Sequence, residues 1–147
     1  MRNVIRRSSP VAVLVCVVTL LAASAVMARQ GADLTVTVSY AGKGPVNEQN
    51  DVLVFLFDHP EPTADSRPLS LQTVTKNGGI ATFKGVTAPT VYVVAAYDEK
   101  ANYDGRSGPP PVGTPIATYS RGGKPVAVNP AKTPKVSFKF GDDKRWK

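Results

Sequence analysis

Carboxylate, amide and aromatic side chains follow one another in a short stretch of the sequence, directly after an apolar segment. Its members are Asp98, Asn102, Tyr103, Asp104 and Arg106. Carboxylate and amide oxygens are the hard ligands that calcium takes, and a tyrosine ring beside them can stack on a sugar. The stretch predicts a binding site of these five residues, with Asp98, Asn102 and Asp104 as candidate calcium ligands. The alternative is that the carboxylates bond the backbone of their own loop.

The segment that carries these residues, 98–115, is longer than most connections within a compact domain. Long ordered loops often carry function. Its prolines at 109–111 predict an extended, polyproline-like run. The run 107–113 is interpreted as a presented peptide ligand, as the wall of a pocket, or as a stiff loop that covers a sheet edge.

The residues that could support catalysis are few. His59 is the only histidine, and the only cysteine, Cys16, lies in the apolar run near the start of the chain. The sequence contains no Gly-x-Ser-x-Gly elbow, and one histidine without a nearby thiol excludes a His/Cys metal cluster. We predict a non-enzymatic protein with no catalytic residue and no required cofactor, calcium being possible. The alternative is an unrecognised hydrolase built on Asp98, Asp104 and His59.

The first 28 residues have the pattern of an export signal. Arg2, Arg6 and Arg7 form a basic region, residues 11–23 are almost entirely apolar, and Val26 and Ala28 place small residues at a cleavage site. The apolar run is shorter than the roughly 20 residues that a membrane-spanning helix needs. We predict a signal peptide over 1–28 and one domain over 29–147. The protein is then secreted or periplasmic through the general secretory route, with no stable membrane span once the signal is removed.

The net charge of +7 would fall on cleavage, because Arg2, Arg6 and Arg7 leave with the signal. The remaining 15 Lys and Arg against 11 Asp and Glu give +4, which is typical of a solvated surface and does not indicate a nucleic-acid binder. The expected partners are an envelope polymer or another exported protein. The C-terminal quarter is basic, through Lys132, Lys135, Lys139, Lys144, Arg145 and Lys147. These lysines either form a stripe for anionic glycans or lipid headgroups, or protect an edge strand from pairing.

Apolar and polar residues alternate over 33–40 and 135–140, which predicts strands with one buried face. Segments 52–57 and 91–97 are apolar on both faces and predict central strands. Asn77-Gly78 between 69–75 and 80–84 predicts a tight hairpin whose two strands pair antiparallel.

Weaker strands are expected over 114–120 and 124–129, whereas the proline-rich segment 59–68 predicts a loop. The count is seven or eight short strands. This predicts an all-β fold, a two-sheet antiparallel sandwich of the immunoglobulin-like or prealbumin-like kind.

Residues 77–86 and 90–98 resemble the hairpin-and-strand core of carboxypeptidase-regulatory-like and transthyretin-like (prealbumin) sandwiches. The resemblance lies in a turn glycine, an alternating strand, the corner Gly85-Val86 and the strand that begins Tyr92-Val93. The continuation over 98–105 is similar to small secreted bacterial sandwich proteins of unknown function. The resemblance implies the architecture and an accessory or binding role more than an activity.

Taken together, these features predict an exported, non-enzymatic β-sandwich. Its expected role is that of a binding or accessory module in the cell envelope, with carbohydrate or another envelope polymer as ligand. The alternatives are a calcium-stabilised structural module and the hydrolase named above.

Overall fold

The computed structural model describes residues 30–147, so the predicted signal peptide and its cleavage site lie outside the described residues. Within this range the chain is all-β, with nine strands and no helix. The strands are β1 (Ala32–Tyr40), β2 (Val52–Phe57), β3 (Ser70–Val74), β4 (Ile80–Val86), β5 (Tyr92–Tyr97), β6 (Ile116–Thr118), β7 (Ser120–Arg121), β8 (Lys124–Pro125) and β9 (Lys135–Phe140).

The strands form two main sheets, which confirms the predicted sandwich. One sheet has the order β4-β1-β9 and the other has the order β3-β2-β5-β6, while β7 and β8 form a small hairpin. There are nine strands, and not seven or eight, because the weakly patterned segment after residue 113 divides into three short strands. The pairing is also not wholly antiparallel, since β9 lies parallel to β1. A parallel pair needs a crossover connection. Here the connection is the chain between β1 and β9, residues 41–134, which contains all the other strands.

The turn at Asn77-Gly78 does not form the predicted hairpin. β3 pairs with β2, whereas β4 pairs with β1 in the other sheet. The Asn77 amide Nδ2 donates to the Tyr40 carbonyl at 2.8 Å, and its Oδ1 accepts from the Tyr40 amide at 2.9 Å. These bonds fasten the turn to the end of β1, so the chain passes from one sheet to the other instead of folding back within one.

The main core lies between the sheets and follows from the period-two pattern. On β1, Leu34, Val36, Val38 and Tyr40 are buried, as the alternation predicts. The opposing face comes from β2 and β5, which are central in their sheet as predicted. Tyr40 and Tyr97 stack across the core with ring centroids 4.0 Å apart, and both side chains are buried.

A second apolar layer lies on the outer face of the four-stranded sheet. It consists of Leu53, Phe55, Phe57, Val94 and Ala96, all buried, with Leu71, Tyr103 and Ile116 packed against them. This layer explains why β2 and β5 are apolar on both faces: the first face meets the core, and the second is covered by the loop after β5. Packing against the sheet fixes the position of that loop.

Candidate functional site

The largest group of predicted site residues lines a cleft of about 520 Å³ at one end of the four-stranded sheet. Val52 and Tyr97 are paired in the antiparallel β2–β5 ladder, so the chain entering β2 and the chain leaving β5 meet at the same end. The Asp98 amide donates to the Asp51 carbonyl at 2.9 Å and holds the two segments together. The lining residues are Glu48, Gln49, Asp51, Asp98, Ala101, Asn102, Tyr103, Asp104, Ser107, Pro109 and Pro111.

Asp98 shapes the beginning of the loop. It is 6% exposed, and its two carboxylate oxygens accept from the backbone amides of Lys100, at 3.2 Å, and Tyr103, at 2.9 Å. A carboxylate that accepts backbone amides is the means by which an aspartate organises its own turn. Asp98 therefore holds Tyr103 at the wall of the cleft as well as lining it.

Asp51 contributes to the cleft a buried carboxylate oxygen that is unpartnered within the described part of the chain. Its Oδ1 is buried and has no hydrogen-bond partner within residues 30–147. Burial raises the pKa of this carboxyl above its ordinary value, and the neighbouring charge of Asp98 raises it further. Asp51 thus combines a solvent-excluded oxygen that lacks a donor in the described range with a carboxyl group at the wall of the cleft.

Asp104 has the opposite environment. Its Oδ1 accepts from the backbone amides of Arg106 and Ser107, both at 2.8 Å, and its Oδ2 accepts from the Ser107 hydroxyl at 2.6 Å. These bonds, the serine hydroxyl first, lower the pKa of Asp104 to about 2. The carboxylate therefore stays ionised at the rim, in the backbone-bonded turn that the sequence allowed as an alternative.

Tyr103 forms an apolar wall of the cleft. Its ring lies 6.2 Å, centroid to centroid, from that of Phe55 on the sheet, and its hydroxyl donates to the Gly108 carbonyl at 3.2 Å. Burial, with a smaller effect of the Asp104 charge, raises the pKa of this phenol to about 12. The side chain is a neutral, half-buried platform.

Four of the five predicted residues, Asp98, Asn102, Tyr103 and Asp104, lie together in this cleft. Arg106 does not line the cleft. It borders a separate, narrow crevice of about 30 Å³ between the loop after β5 and the loop that joins β2 to β3. Within the loop the prediction missed Ser107, and outside it the prediction missed three polar residues of the cleft, which are Glu48, Gln49 and Asp51. In the sequence, Glu48, Gln49 and Asp51 stand just before the apolar strand β2, which was the only signal for them. The pairing of β2 with β5 places them beside Asp98.

The far end of the loop is fastened by the C-terminal segment. The Trp146 amide donates to the Thr114 carbonyl at 2.9 Å, and the Gly113 amide donates to the Trp146 carbonyl at 2.9 Å. Arg145 also donates to the Gly113 carbonyl at 2.6 Å and forms an ion pair with Glu99 at 3.1 Å. Both ends of the loop are thus held, so the cleft is largely preformed.

No group of three or more His, Cys, Asp or Glu side chains in the described part of the chain is arranged to hold a metal ion. Asp98 and Asp104, two of the three predicted calcium ligands, accept the backbone bonds given above. Asn102 lines the same cleft. Calcium binding by these residues stays a prediction.

His59 does not lie in the cleft with Asp98 and Asp104. Its Nδ1 is 2.5 Å from Asp58 Oδ1, and its Nε2 is 2.8 Å from Ser66 Oγ. With the proton on Nδ1, His59 donates a hydrogen bond to Asp58 and accepts a hydrogen bond from the Ser66 hydroxyl. Ser66 Oγ also accepts from the Thr63 amide at 2.8 Å. No motif in the sequence indicated this serine.

Fold and site together define an all-β sandwich with an acceptor-rich cleft at one end of its larger sheet. No family model, curated protein or solved structure matches the chain. In the range 30–147, no helix has the length and apolar character needed to cross a membrane.

Proposed function

We propose that this protein is an exported, non-enzymatic β-sandwich, secreted or periplasmic, that acts as a binding module for carbohydrate in the cell envelope. The observation that carries the proposal is the cleft, in which carboxylate and amide acceptors face an apolar wall of Tyr103, Pro109 and Pro111. The export pattern of residues 1–28 and the resemblance to carboxypeptidase-regulatory-like and transthyretin-like sandwiches support it.

The chemistry of the cleft suits a sugar. Sugar hydroxyls donate hydrogen bonds, and the cleft offers Glu48, Gln49, Asp51 and Asn102 as acceptors. The apolar face of a sugar ring needs a flat apolar surface, which the Tyr103 ring provides. A volume of about 520 Å³ is within the range of roughly 300–1,000 Å³ typical of small-molecule sites.

We expect Asp51→Asn to weaken sugar binding about tenfold while raising the melting temperature at pH 7. The affinity falls because the ionised acceptor is replaced by a weaker one, and a charge-assisted hydrogen bond is about twice as strong as a neutral one. The melting temperature rises because the folded-state pKa of Asp51 is raised. The stability linked to its protonation is present below the unfolded pKa and lost as the pH rises through the folded value.

The measurement is a glycan array, followed by titration of its best-bound oligosaccharide into wild type and variant, with thermal melts at pH 7 and pH 3. The stability difference should vanish at pH 3, where both side chains are neutral. Asp65→Asn is the matched control, because Asp65 is exposed and lines none of the clefts described here. Equal affinity of the wild type and Asp51→Asn would contradict the proposed site.

The calcium-stabilised module remains the alternative use of the same loop. It assigns Asp98, Asn102 and Asp104 as ligands. A melting temperature that rises in millimolar calcium and falls with chelator would support it, and an unchanged value would eliminate it.

A second candidate function is ester hydrolysis at Ser66, which the Asp58–His59–Ser66 arrangement favours. The Ser66 hydroxyl is positioned to pass its proton to His59 while its oxygen attacks an ester carbonyl, and Asp58 orients the imidazole. His59 then gives this proton to the departing alcohol, and water hydrolyses the acyl-serine to regenerate the Ser66 hydroxyl. Both polar groups of Ser66 also hold a turn, since its amide donates to the Thr63 carbonyl at 3.1 Å. The binding module is therefore preferred.

Hydrolysis of p-nitrophenyl acetate by wild type and Ser66→Ala separates the two candidates. The binding module predicts equal rates for both proteins, with Thr63 and Ser66 acting only as turn residues. A wild-type rate that falls at least a hundredfold in Ser66→Ala, and similarly in His59→Gln, would replace the non-enzymatic proposal.

A further inference from the structure

The outward face of the three-stranded sheet carries mainly hydroxyl and ammonium groups, with one carboxylate, Asp33, at its end and one apolar side chain, Ile80, beside Thr37. We call it the hydroxyl–lysine face; its members are Thr35, Thr37 and Ser39 of β1, Thr82 of β4, and Lys135, Ser137 and Lys139 of β9. None of these side chains makes a hydrogen bond or ion pair with another residue between 30 and 147. The acid on this face, Asp33 at the start of β1, is paired with Lys84 of β4 at 2.6 Å, so the charge of its carboxylate is compensated and Lys135 and Lys139 stay unpaired within the described residues.

The sheet register arranges these groups in a regular grid. Thr35 pairs with Lys135 and Thr82, and Ser39 pairs with Lys139. Neighbouring strands lie about 4.8 Å apart, and side chains two residues apart on one face are about 6.7 Å apart. Lys135 and Lys139 are therefore about 13 Å apart on the same strand. The hydroxyl row of β1 runs beside them.

We propose that the hydroxyl–lysine face binds a carboxylated polysaccharide lying along β1 and β9. The two ammonium groups meet carboxylates of the polymer, and the hydroxyl row exchanges hydrogen bonds with its sugar hydroxyls. An extended polymer suits this flat face, whose members line none of the clefts described above. The face is also separate from the sugar cleft, so the proposal goes beyond the proposed function and is tested independently of it.

Two features favour a glycan over other occupants. Among residues 30–147, the large exposed hydrophobic residue on this face is Ile80, which pairs with Thr37 and is 62% exposed, and attachment to a bilayer requires a larger apolar surface. Protection of an edge strand would explain Lys135 and Lys139 on β9. Edge protection would not explain the row of hydroxyls on β1, because β1 is the central strand of its sheet.

The test uses purified protein and polygalacturonate as the probe, with dextran as the neutral polymer and phosphatidylglycerol vesicles as the lipid arm. We expect Lys135→Glu/Lys139→Glu to lose at least tenfold in affinity for polygalacturonate. The control Lys100→Glu/Lys124→Glu makes the same change in net charge at exposed lysines outside the face and should lose less than threefold. Thr35→Val/Thr37→Val should lose about threefold, because valine keeps the strand preference and removes only the hydroxyls.

Hydrogen exchange on the wild type gives a readout that does not depend on the folding of any variant. Polygalacturonate should increase protection in residues 35–39 and 135–139 and leave the cleft segment 98–111 unchanged. Equal losses in the two lysine pairs, binding to vesicles in preference to polygalacturonate, protection outside the face, or no binding of the wild type would each overturn the proposal.

Discussion

Replacing Gly105 with alanine is expected to lower the free energy of unfolding by about 3 kcal/mol. Gly105 is buried on the outer face of the four-stranded sheet with φ +70°, a conformation that a side chain disfavours by roughly 1 kcal/mol or more. An added Cβ would also lie 2.7 Å from Leu71 Cδ2 and 2.8 Å from Leu53 Cδ2. Such overpacking typically costs a further 1–3 kcal/mol or so.

Gly123→Ala is the matched control for this substitution. Gly123 has nearly the same backbone angle, φ +77°, but no atom lies within 4 Å of an added Cβ, so only the backbone strain of about 1 kcal/mol applies. Urea denaturation of both variants measures the difference. If the two lose equal stability, the loop does not pack tightly on the sheet, and the preformed cleft loses its main support.

Phe55→Ala is expected to destabilise the protein by about 3–5 kcal/mol, the usual range for a buried phenylalanine. Phe55 is 3% exposed, and its ring supports Tyr103 from the sheet side. Removing it opens a cavity and withdraws the support for the cleft wall. We therefore expect sugar binding to be lost at temperatures at which the variant is still folded, measured by titration beside urea denaturation.

The control for this prediction is Val112→Ala, in the loop after β5 that carries Tyr103. Val112 is 79% exposed, and its truncation should change the free energy of unfolding by no more than about 0.5 kcal/mol. Unaltered sugar affinity in folded Phe55→Ala would show that Tyr103 does not need the sheet for its position. The cleft would then be formed by the loop alone.

The two proposed surfaces differ in charge and in shape. The cleft is concave and acidic and lies between the loop and the chain entering β2, whereas the hydroxyl–lysine face is flat and basic and belongs to the other sheet. A single branched or charged envelope glycan offers hydroxyls to the first and carboxylates to the second. If both experiments succeed, the protein connects two parts of a polymer or two polymers.

Much of the fold follows from the sequence alone, because its signals are local. Alternation along residues 33–40 determines which face of β1 is buried, and the apolar character of 52–57 makes β2 a central strand wherever its neighbours are. Prolines at 60, 62 and 68 keep the segment between β2 and β3 out of the sheets, since proline has no backbone N–H to donate to a neighbouring strand. The carboxylates after β5 likewise predict a candidate site from their spacing in the sequence.

Tertiary structure decided what depends on contacts between distant residues. The Asn77-Gly78 turn favours a hairpin by local preference. The Asn77 side chain, however, makes hydrogen bonds to the Tyr40 backbone, and β4 pairs with β1 in the other sheet. Asp51 joins the cleft only because β2 and β5 pair in the register that sets Val52 beside Tyr97. Ser66 reaches His59 for a similar reason, through the shape of a loop that has no regular pattern. Periodicity specifies which residues are buried, whereas the partners of a turn, an acid or a hydroxyl are determined by packing.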